Sequence, residues 1–402
     1  MWAKHLTLTN FRGFERLELD LDRPVTVLVG VNGSGKTSVL RAIAAAVETL
    51  RNRSAGPIAS LDRRDLRVGS PEGEVHCRVS VRNFESRVDL HHDTRSPHWG
   101  GGSATLPNTS IISLGMLPVH DFFAFLAGTE RHLLTAWVPT NATAQEDSLS
   151  VLATVPGYGR FLAWFKERED AENARRVARA DLTLEDPQLR AVRAAVAALM
   201  PGFDKLRIDR DQPAPAMVVT KAGVELRLDQ LSDGERNLIA LAGDLARRMV
   251  TADPTNESPL DAVGVILIDE VEQHLHPAWQ RQVIPALQRA FAKAQLIVTT
   301  HSPQVLSSVP ASAVVVLDGF SAHGITGATK GRDTNAILRE VFGVPDRPQP
   351  QLDELRAIRA LIDDDTLDAA RARLDALAAT LSEQDDDVVA LRMRMHVAEA
   401  TA

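Results

Sequence analysis

Apolar and polar residues alternate in HLTLTNF and again in LELDL, and the unbroken apolar run VTVLVG follows. This pattern predicts two half-buried strands and a fully buried third that ends at Gly30. Over residues 36–50 the period changes, with Val39, Leu40, Ile43, Val47 and Leu50 at helical spacing. The order is strand, loop, helix. Further strands are expected at residues 75–82 and 110–114, with the Gly-, Ser- and Pro-rich HHDTRSPHWGGGSATLPN between them as a mobile loop. Over residues 117–200 the pattern turns helical and irregular around FLAWFKEREDAENARRVARADL. Glu172 and Arg176 stand at i and i+4 there, which predicts a solvated helix with surface pairs. Phosphate-backbone contact through Arg175, Arg176 and Arg179 is the less favoured alternative.

Strand patterns return at residues 205–209, 217–220 and 224–228, and QLSDGERNLIAL then opens a helix that runs to Val250. The run VGVILIDE, a helix over 278–292, QLIVTTH and AVVVLDG follow in turn. Strands alternating with helices predict a largely parallel sheet covered on both faces. After the prolines of GVPDRPQP, one helix is marked by Leu355, Ile358 and Leu361 and a second by Leu367, Ala370, Leu374, Leu377 and Leu381. A third is expected over 388–398. The acidic triplets Asp363 to Asp365 and Asp385 to Asp387 read as caps of the helix that follows each, with metal binding as the weaker alternative.

The expected fold class is therefore α/β with a mixed or parallel sheet, a helical insertion and a small C-terminal all-α segment. Residues 1–116 form a first lobe with the Gly-rich loop, 117–202 the helical insertion, 203–330 a second lobe and 331–402 the helical tail. Composition adjusts this picture little: 402 residues allow two or three domains, and 44% apolar and 24% charged residues are values of a globular protein. A net charge of −8 argues against a chain that coats nucleic acid, while leaving a local basic groove open. No apolar run of eighteen residues occurs and the N-terminus has no secretion-signal pattern, so a cytoplasmic protein without a membrane partner is expected. The single cysteine, Cys77, reads as a strand thiol.

The chemistry concentrates in three places. GVNGSGKT, residues 30–37, satisfies G-x-x-x-x-G-K-[ST] between a strand and a helix. Gly30, Asn32, Gly33, Ser34, Gly35, Lys36, Thr37 and Ser38 are the expected nucleotide contacts, with main-chain N–H groups and the positive helix end facing phosphates. Lys36 should reach the β- and γ-phosphates and the Thr37 hydroxyl should hold Mg²⁺. VILIDE ends a buried strand in two carboxylates, of which Asp269 suits Mg²⁺ and Glu270 suits a general base acting on water. His301, ending the next strand, is placed to sense the γ-phosphate. A zinc site from Glu272, His274 and His276 is disfavoured, because alternate spacing on one loop supplies few converging ligands. The third place is the helix start at Ser232 and Gly234. Its hydroxyl and N–H groups suit the open side of a bound nucleotide, reached by folding over or from a second copy.

LSDGE resembles the LSGGQ signature of ABC-type ATPases, and specifically the LSGGE form of the branch with structural-maintenance-of-chromosomes (SMC), RecF-type repair and overcoming-lysogenization-defect proteins. FRGF at residues 11–14, LIDEVEQHLHPAWQ and IVTTHSPQVLSS are similar to the same branch, so the likeness covers about residues 1–317. It implies that two heads sandwich two ATP molecules and that Ser232 and Gly234 touch the partner's γ-phosphate, with Lys36, Asp269, Glu270 and His301 acting as above. The chain departs from the pattern at Asp233, where glycine is usual. A carboxylate there must turn away, pair with a cation or weaken the sandwich. A glutamine loop after the first helix is not recognisable. No long heptad stretch occurs, and roughly eighty residues after the last head strand are too few for an appended nuclease domain. With the tail VFGVPDRPQPQLDELRAIRALIDDDTLDAARARLDAL, the chain is similar to the PtuA ATPases of Septu-type anti-phage systems, including retron-associated ones. That resemblance implies an oligomer that dimerises around ATP and regulates a separate HNH nuclease of the PtuB kind, with DNA or retron nucleic acid as a further partner. A RecF-like DNA-binding repair ATPase is the alternative, and a non-hydrolysing ATP-binding scaffold the third reading.

Overall fold

The first alternating runs form an antiparallel hairpin, β1 (Trp2–Phe11) with β2 (Phe14–Asp20), in the register that sets His5 opposite Asp20 and Phe11 opposite Phe14. The computed structural model describes residues 2–52, 57–81, 84–93, 98–101, 124–127, 158–211, 215–252, 256 and 258–401. The strand expected over 110–114 lies outside them. The apolar run becomes β3 (Val25–Val29), buried at every residue, and α1 (Lys36–Asn52) follows the Gly-rich loop. Then come β4 (Pro57–Asp62), β5 (Glu72–Val81), β6 (Phe84–Asp93) and β7 (His98–Gly101), which complete an antiparallel sheet in the order β2-β1-β5-β6-β7-β4. Within the expected mobile loop, residues 91–93 and 98–101 are strand. Trp99 is the reason: it is fully buried, edge-on to Phe11 at 5.6 Å between centroids, and draws this segment into the sheet. Cys77 on β5 is wholly buried, which pushes its thiol up to about 12.

The chain continues through β8 (Ala124–Ala127), α2 (Tyr158–Arg179), α3 (Pro187–Leu199), and the three antiparallel strands β9 (Phe203–Asp209), β10 (Ala216–Lys221) and β11 (Val224–Arg227). Next are α4 (Asp233–Ala252), β12 (Val265–Ile268), α5 (Pro277–Ala290), β13 (Gln295–Thr300), the short α6 (Pro303–Leu306), β14 (Val314–Asp318) and β15 (Ser321–Gly324). A second six-stranded sheet runs β15-β14-β3-β13-β12-β8, parallel except where β14 turns back into β15. Parallel β3, β13 and β12 are neighbours, so their carboxyl ends share one edge, the usual place for a site in such sheets.

Helix α1 lies between the two sheets. Val39, Leu40, Ala42, Ile43, Ala45, Ala46 and Val47 are all buried, in one core with Leu6, Leu8, Val75 and Val88 of the antiparallel sheet and Leu267 and Ile297 of the parallel one. Gln295 clasps the two sheets: its side chain accepts from Ala3 N at 2.7 Å and donates to Ala3 O at 2.8 Å and Leu21 O at 2.7 Å. All three residues are fully buried. Replacing Gln295 with Leu strands these main-chain groups without water, and should cost about 3 kcal/mol of stability in a denaturant titration.

Helix α2 differs from the expected solvated helix. Glu172 does pair with Arg176 at 3.2 Å, but Glu172 and Glu169 are only 1% and 3% exposed. Glu169 takes Arg193 at 3.0 Å, Arg210 at 2.8 Å and the Ile208 N–H at 2.9 Å, and Glu172 takes the Asp186 N–H at 2.5 Å. Arg175 pairs with Asp186 at 2.6 Å while its side chain stays half exposed, Arg176 donates to Leu184 O, and Arg179 is exposed. Burying these charges is tolerable because each is paired and hydrogen-bonded. They join α2, α3 and β9 alongside buried apolar side chains such as Phe165, Val192 and Leu206.

The chain divides into two compact units, Met1–Thr334 and Asn335–Ala402. After α7 (Thr334–Phe342), the second unit is built from α8 (Gln349–Asp363), α9 (Leu367–Leu381) and α10 (Asp386–Thr401), as expected. Leu355, Ile358, Ile362, Leu374, Leu391 and Met395 form its core. Asp385 caps α10 by accepting from Asp387 N and Val388 N, and also holds Arg347 at 2.9 Å. The first acidic triplet does not cap α9, which starts after Thr366 without a side-chain cap. Asp363 pairs instead with Arg394 at 2.6 Å. No described helix is long and apolar enough to cross a membrane.

Candidate functional site

Between β3 and α1 the backbone curls through positive φ at Gly33 (+82°) and Gly35 (+96°), where a side chain would be strained. A Cβ at Gly35 would also fall 2.4 Å from the Phe14 ring. Phe14 in turn stands edge-on to Phe320 at 5.5 Å, so an aromatic pair supports the loop from outside. The Lys36 side chain folds back along the loop, donating to Gly30 O at 3.1 Å and Val31 O at 3.0 Å. Burial pulls its ammonium below the ordinary lysine range, opposed by the carboxylates of Asp269, Glu270 and Glu272. Ser34 is buried, and its hydroxyl has no partner among the described residues. Asn32 and Thr37 are exposed, and Ser38 accepts from Arg12 at 3.4 Å.

The Thr37 hydroxyl donates to Asp269 Oδ2 at 2.7 Å, joining the start of α1 to the end of β12. The other carboxylate oxygen of Asp269 accepts from Thr299 on β13. Thr299 Oγ1 itself accepts from the Glu270 N–H at 2.7 Å, and Thr299 O accepts from Val271 N at 3.1 Å. Glu270 sits at φ +49°, a left-handed conformation that is uncommon outside glycine and is held here by those two bonds. The His301 N–H donates to Glu272 Oε1 at 2.5 Å. Burial lowers the His301 imidazole from its ordinary value and Lys36 adds to this, while Glu272, Glu270 and Asp269 oppose it. Lys36, Asp269, Glu270, Glu272 and His301 therefore share one electrostatic field at one sheet edge.

The exposed Ser232 and the half-buried Gly234 lie at a separate helix start. Ser232 and Glu235 cap each other: Ser232 N and Oγ donate to Glu235 Oε2 at 3.1 and 3.0 Å, and Glu235 N donates to Ser232 Oγ at 3.4 Å. Lys221 secures Glu235 from β10 at 2.6 Å. Asp233 is paired with Arg236 one turn on, the second of the three outcomes open to it. Gly234 faces its own chain, since a Cβ there would meet His274 O at 2.6 Å.

Residues 5–109 match the family described as "AAA domain", and residues 141–307 match "AAA domain, putative AbiEii toxin, Type IV TA system". The chain is 27% identical over 420 residues to "Retron Ec83 probable ATPase" of Escherichia coli, covering 85% of this chain and 76% of that one. It is 26% identical over 370 residues to "Septu protein PtuA" of Bacillus mycoides (strain KBAB4), covering 88% of this chain but only 46% of that protein. Among solved structures, the SMC head bound to the C-winged helix domain of ScpA superposes with a TM-score of 0.50 at 17% identity, covering 82% of this chain and 98% of that chain. The fold is that of an SMC-type ATPase head.

Within this head, several residues at the site carry no sequence motif. Thr299 bridges Asp269 and Glu270 from a separation of about thirty residues, and only the strand-end position of VTTH hints at it. Glu272, weighed in sequence only as a zinc ligand, instead binds the His301 main chain. The zinc candidates are divided, because His276 Nδ1 accepts from Ala278 N to cap α5 and His274 is exposed. Arg12 of FRGF and Arg41 of α1 both pair with the buried Asp65, at 2.6 and 3.3 Å, which ties the first hairpin of the head to the outer side of α1.

Proposed function

We propose that the chain is an ATPase that binds ATP along Gly30 to Ser38, dimerises around it, and regulates a separate HNH nuclease in anti-phage defence. The observation that carries the site reading is the Thr37–Asp269 hydrogen bond, which joins the two motifs at one edge. A hydroxyl and a carboxylate so paired are the hard oxygen donors that suit Mg²⁺, which supplies charge neutralisation to a bound triphosphate. The chain fits such a ligand in other ways. Among the described residues the buried Ser34 hydroxyl has no partner, and the Lys36 ammonium, held by two carbonyls of the loop, can turn to the β- and γ-phosphates. Glu270 takes a proton from water as the water oxygen bonds to the γ-phosphorus and the bond to ADP breaks. His301 lies beside that group.

Ser232 and Gly234 are read as the cover supplied to a second copy's nucleotide, with the Asp233 charge offset by Arg236. Kinship to a retron ATPase and a Septu PtuA supports the defence role and the nuclease partner, and nucleic acid enters through that partner. The trans arrangement predicts complementation. A Lys36→Met chain and a Ser232→Arg chain should each fail to hydrolyse ATP alone, yet recover about a quarter of the parent rate per chain when mixed, since random pairing leaves that share of sites intact. A mixture no more active than its components would remove the shared site. Regulation is read from nuclease cleavage, which should differ between complexes of the parent chain and of Glu270→Gln. Identical cleavage with and without ATP overturns that role.

A further inference from the structure

Glu272 leaves the end of β12 two residues after Glu270, in a segment bent by left-handed backbone at Glu270 (φ +49°) and His274 (φ +63°). Two successive turns, Gln273 N to Glu270 O and Leu275 N to Glu272 O, both at 2.9 Å, bring the Glu272 side chain back under the end of β13. There Oε1 accepts the His301 N–H at 2.5 Å. Oε2 is buried and has no partner among the described residues. An unpaired buried carboxylate oxygen is costly, and such groups nearly always find a donor. Lys36 and His301 both feel the Glu272 charge, and Lys36 is engaged by Gly30 O and Val31 O. Of these two, the His301 imidazole N–H is the donor left to meet Oε2. The main chain beside it is already fixed, because Ser302 N donates to Thr300 Oγ1 at 3.0 Å and Ser302 Oγ donates to Gln280 at 2.6 Å. The ring torsions of His301 are the freedom left to set.

We propose that Glu272 is a positioning residue of the hydrolytic site, holding the His301 main chain with one carboxylate oxygen and orienting the His301 imidazole with the other. The inference rests on the reading of His301 as a group that acts beside the γ-phosphate. With a carboxylate taking one ring N–H, the other ring nitrogen faces the nucleotide in a defined tautomer.

The test is a cycle of Glu272→Gln, His301→Gln and the double variant, with ATP turnover and nucleotide affinity measured separately. Gln at 272 keeps an oxygen for the His301 N–H but turns an NH₂ toward the ring. Turnover should fall about tenfold or more, with nucleotide affinity within about twofold of the parent. In the His301→Gln background the same change should alter turnover by less than about twofold, because the group through which it acts is gone. A purely structural Glu272 would give the same loss in both backgrounds, and that result overturns the proposal. Parent-rate turnover of Glu272→Gln overturns it also. Undiminished turnover of Glu270→Gln would instead overturn the reading of the site, and this inference with it.

Discussion

Replacing Glu270 with Gln is expected to lower ATP turnover by about 10² to 10⁴-fold while leaving nucleotide binding intact. The substitution is isosteric, and what fixes residue 270 is main chain: its N–H donates to Thr299 Oγ1, and the following N–H donates to Thr299 O. Both bonds survive the change, so the left-handed backbone at this position is kept and the loss reports the proton-accepting oxygen alone. The hydrogen bonds of Lys36, Thr37 and Asp269 are kept as well, while the field at Lys36 loses one opposing charge. Phosphate release checks turnover, and equilibrium binding of a labelled nucleotide checks affinity. Release at the parent rate would mean that another group activates water. Because the variant holds ATP without consuming it, it should also raise the share of two-copy species in sedimentation when ATP is present.

Lys36→Met should move the other quantity, weakening nucleotide affinity by about 10²-fold, or roughly 2.7 kcal/mol. Stability should move the opposite way. Burial lowers the Lys36 pKa in the folded chain, so the unfolded chain holds its proton more tightly and the folded state gains stability as pH rises toward the ordinary lysine range. Methionine has no charge to bury. The variant should therefore melt at or above the parent temperature while losing its ligand, a combination that misfolding cannot produce. A lowered melting temperature would show that the bonds to Gly30 O and Val31 O hold the loop together.

The parts of the site legible in the sequence are those whose geometry is local. The loop over residues 30–37 presents consecutive main-chain groups, and the carboxylates of VILIDE sit where a buried strand must stop, so spacing alone reveals them. Thr299 and Glu272 act across about thirty residues, through contacts made only once β13 lies beside β12. In the fold, the parallel strands and tail helices were visible because each buries a continuous apolar set. Strand β7 was hidden by glycines whose weak propensity one tryptophan overrides. Helix α2 departs from a solvated helix because Glu169 and Glu172 lie on the face of the buried Phe161 and Phe165, where their charge argues for water but arginines distant in sequence neutralise them.

The tight approach of Gly234 to His274 O means that residue 234 cannot grow by one methyl group unless the turn from Glu270 to His276 gives way. The start of α4 and that turn are thus packed backbone against backbone. A displacement of the Ser232 end of α4 would therefore press on the turn that carries Glu270 and Glu272.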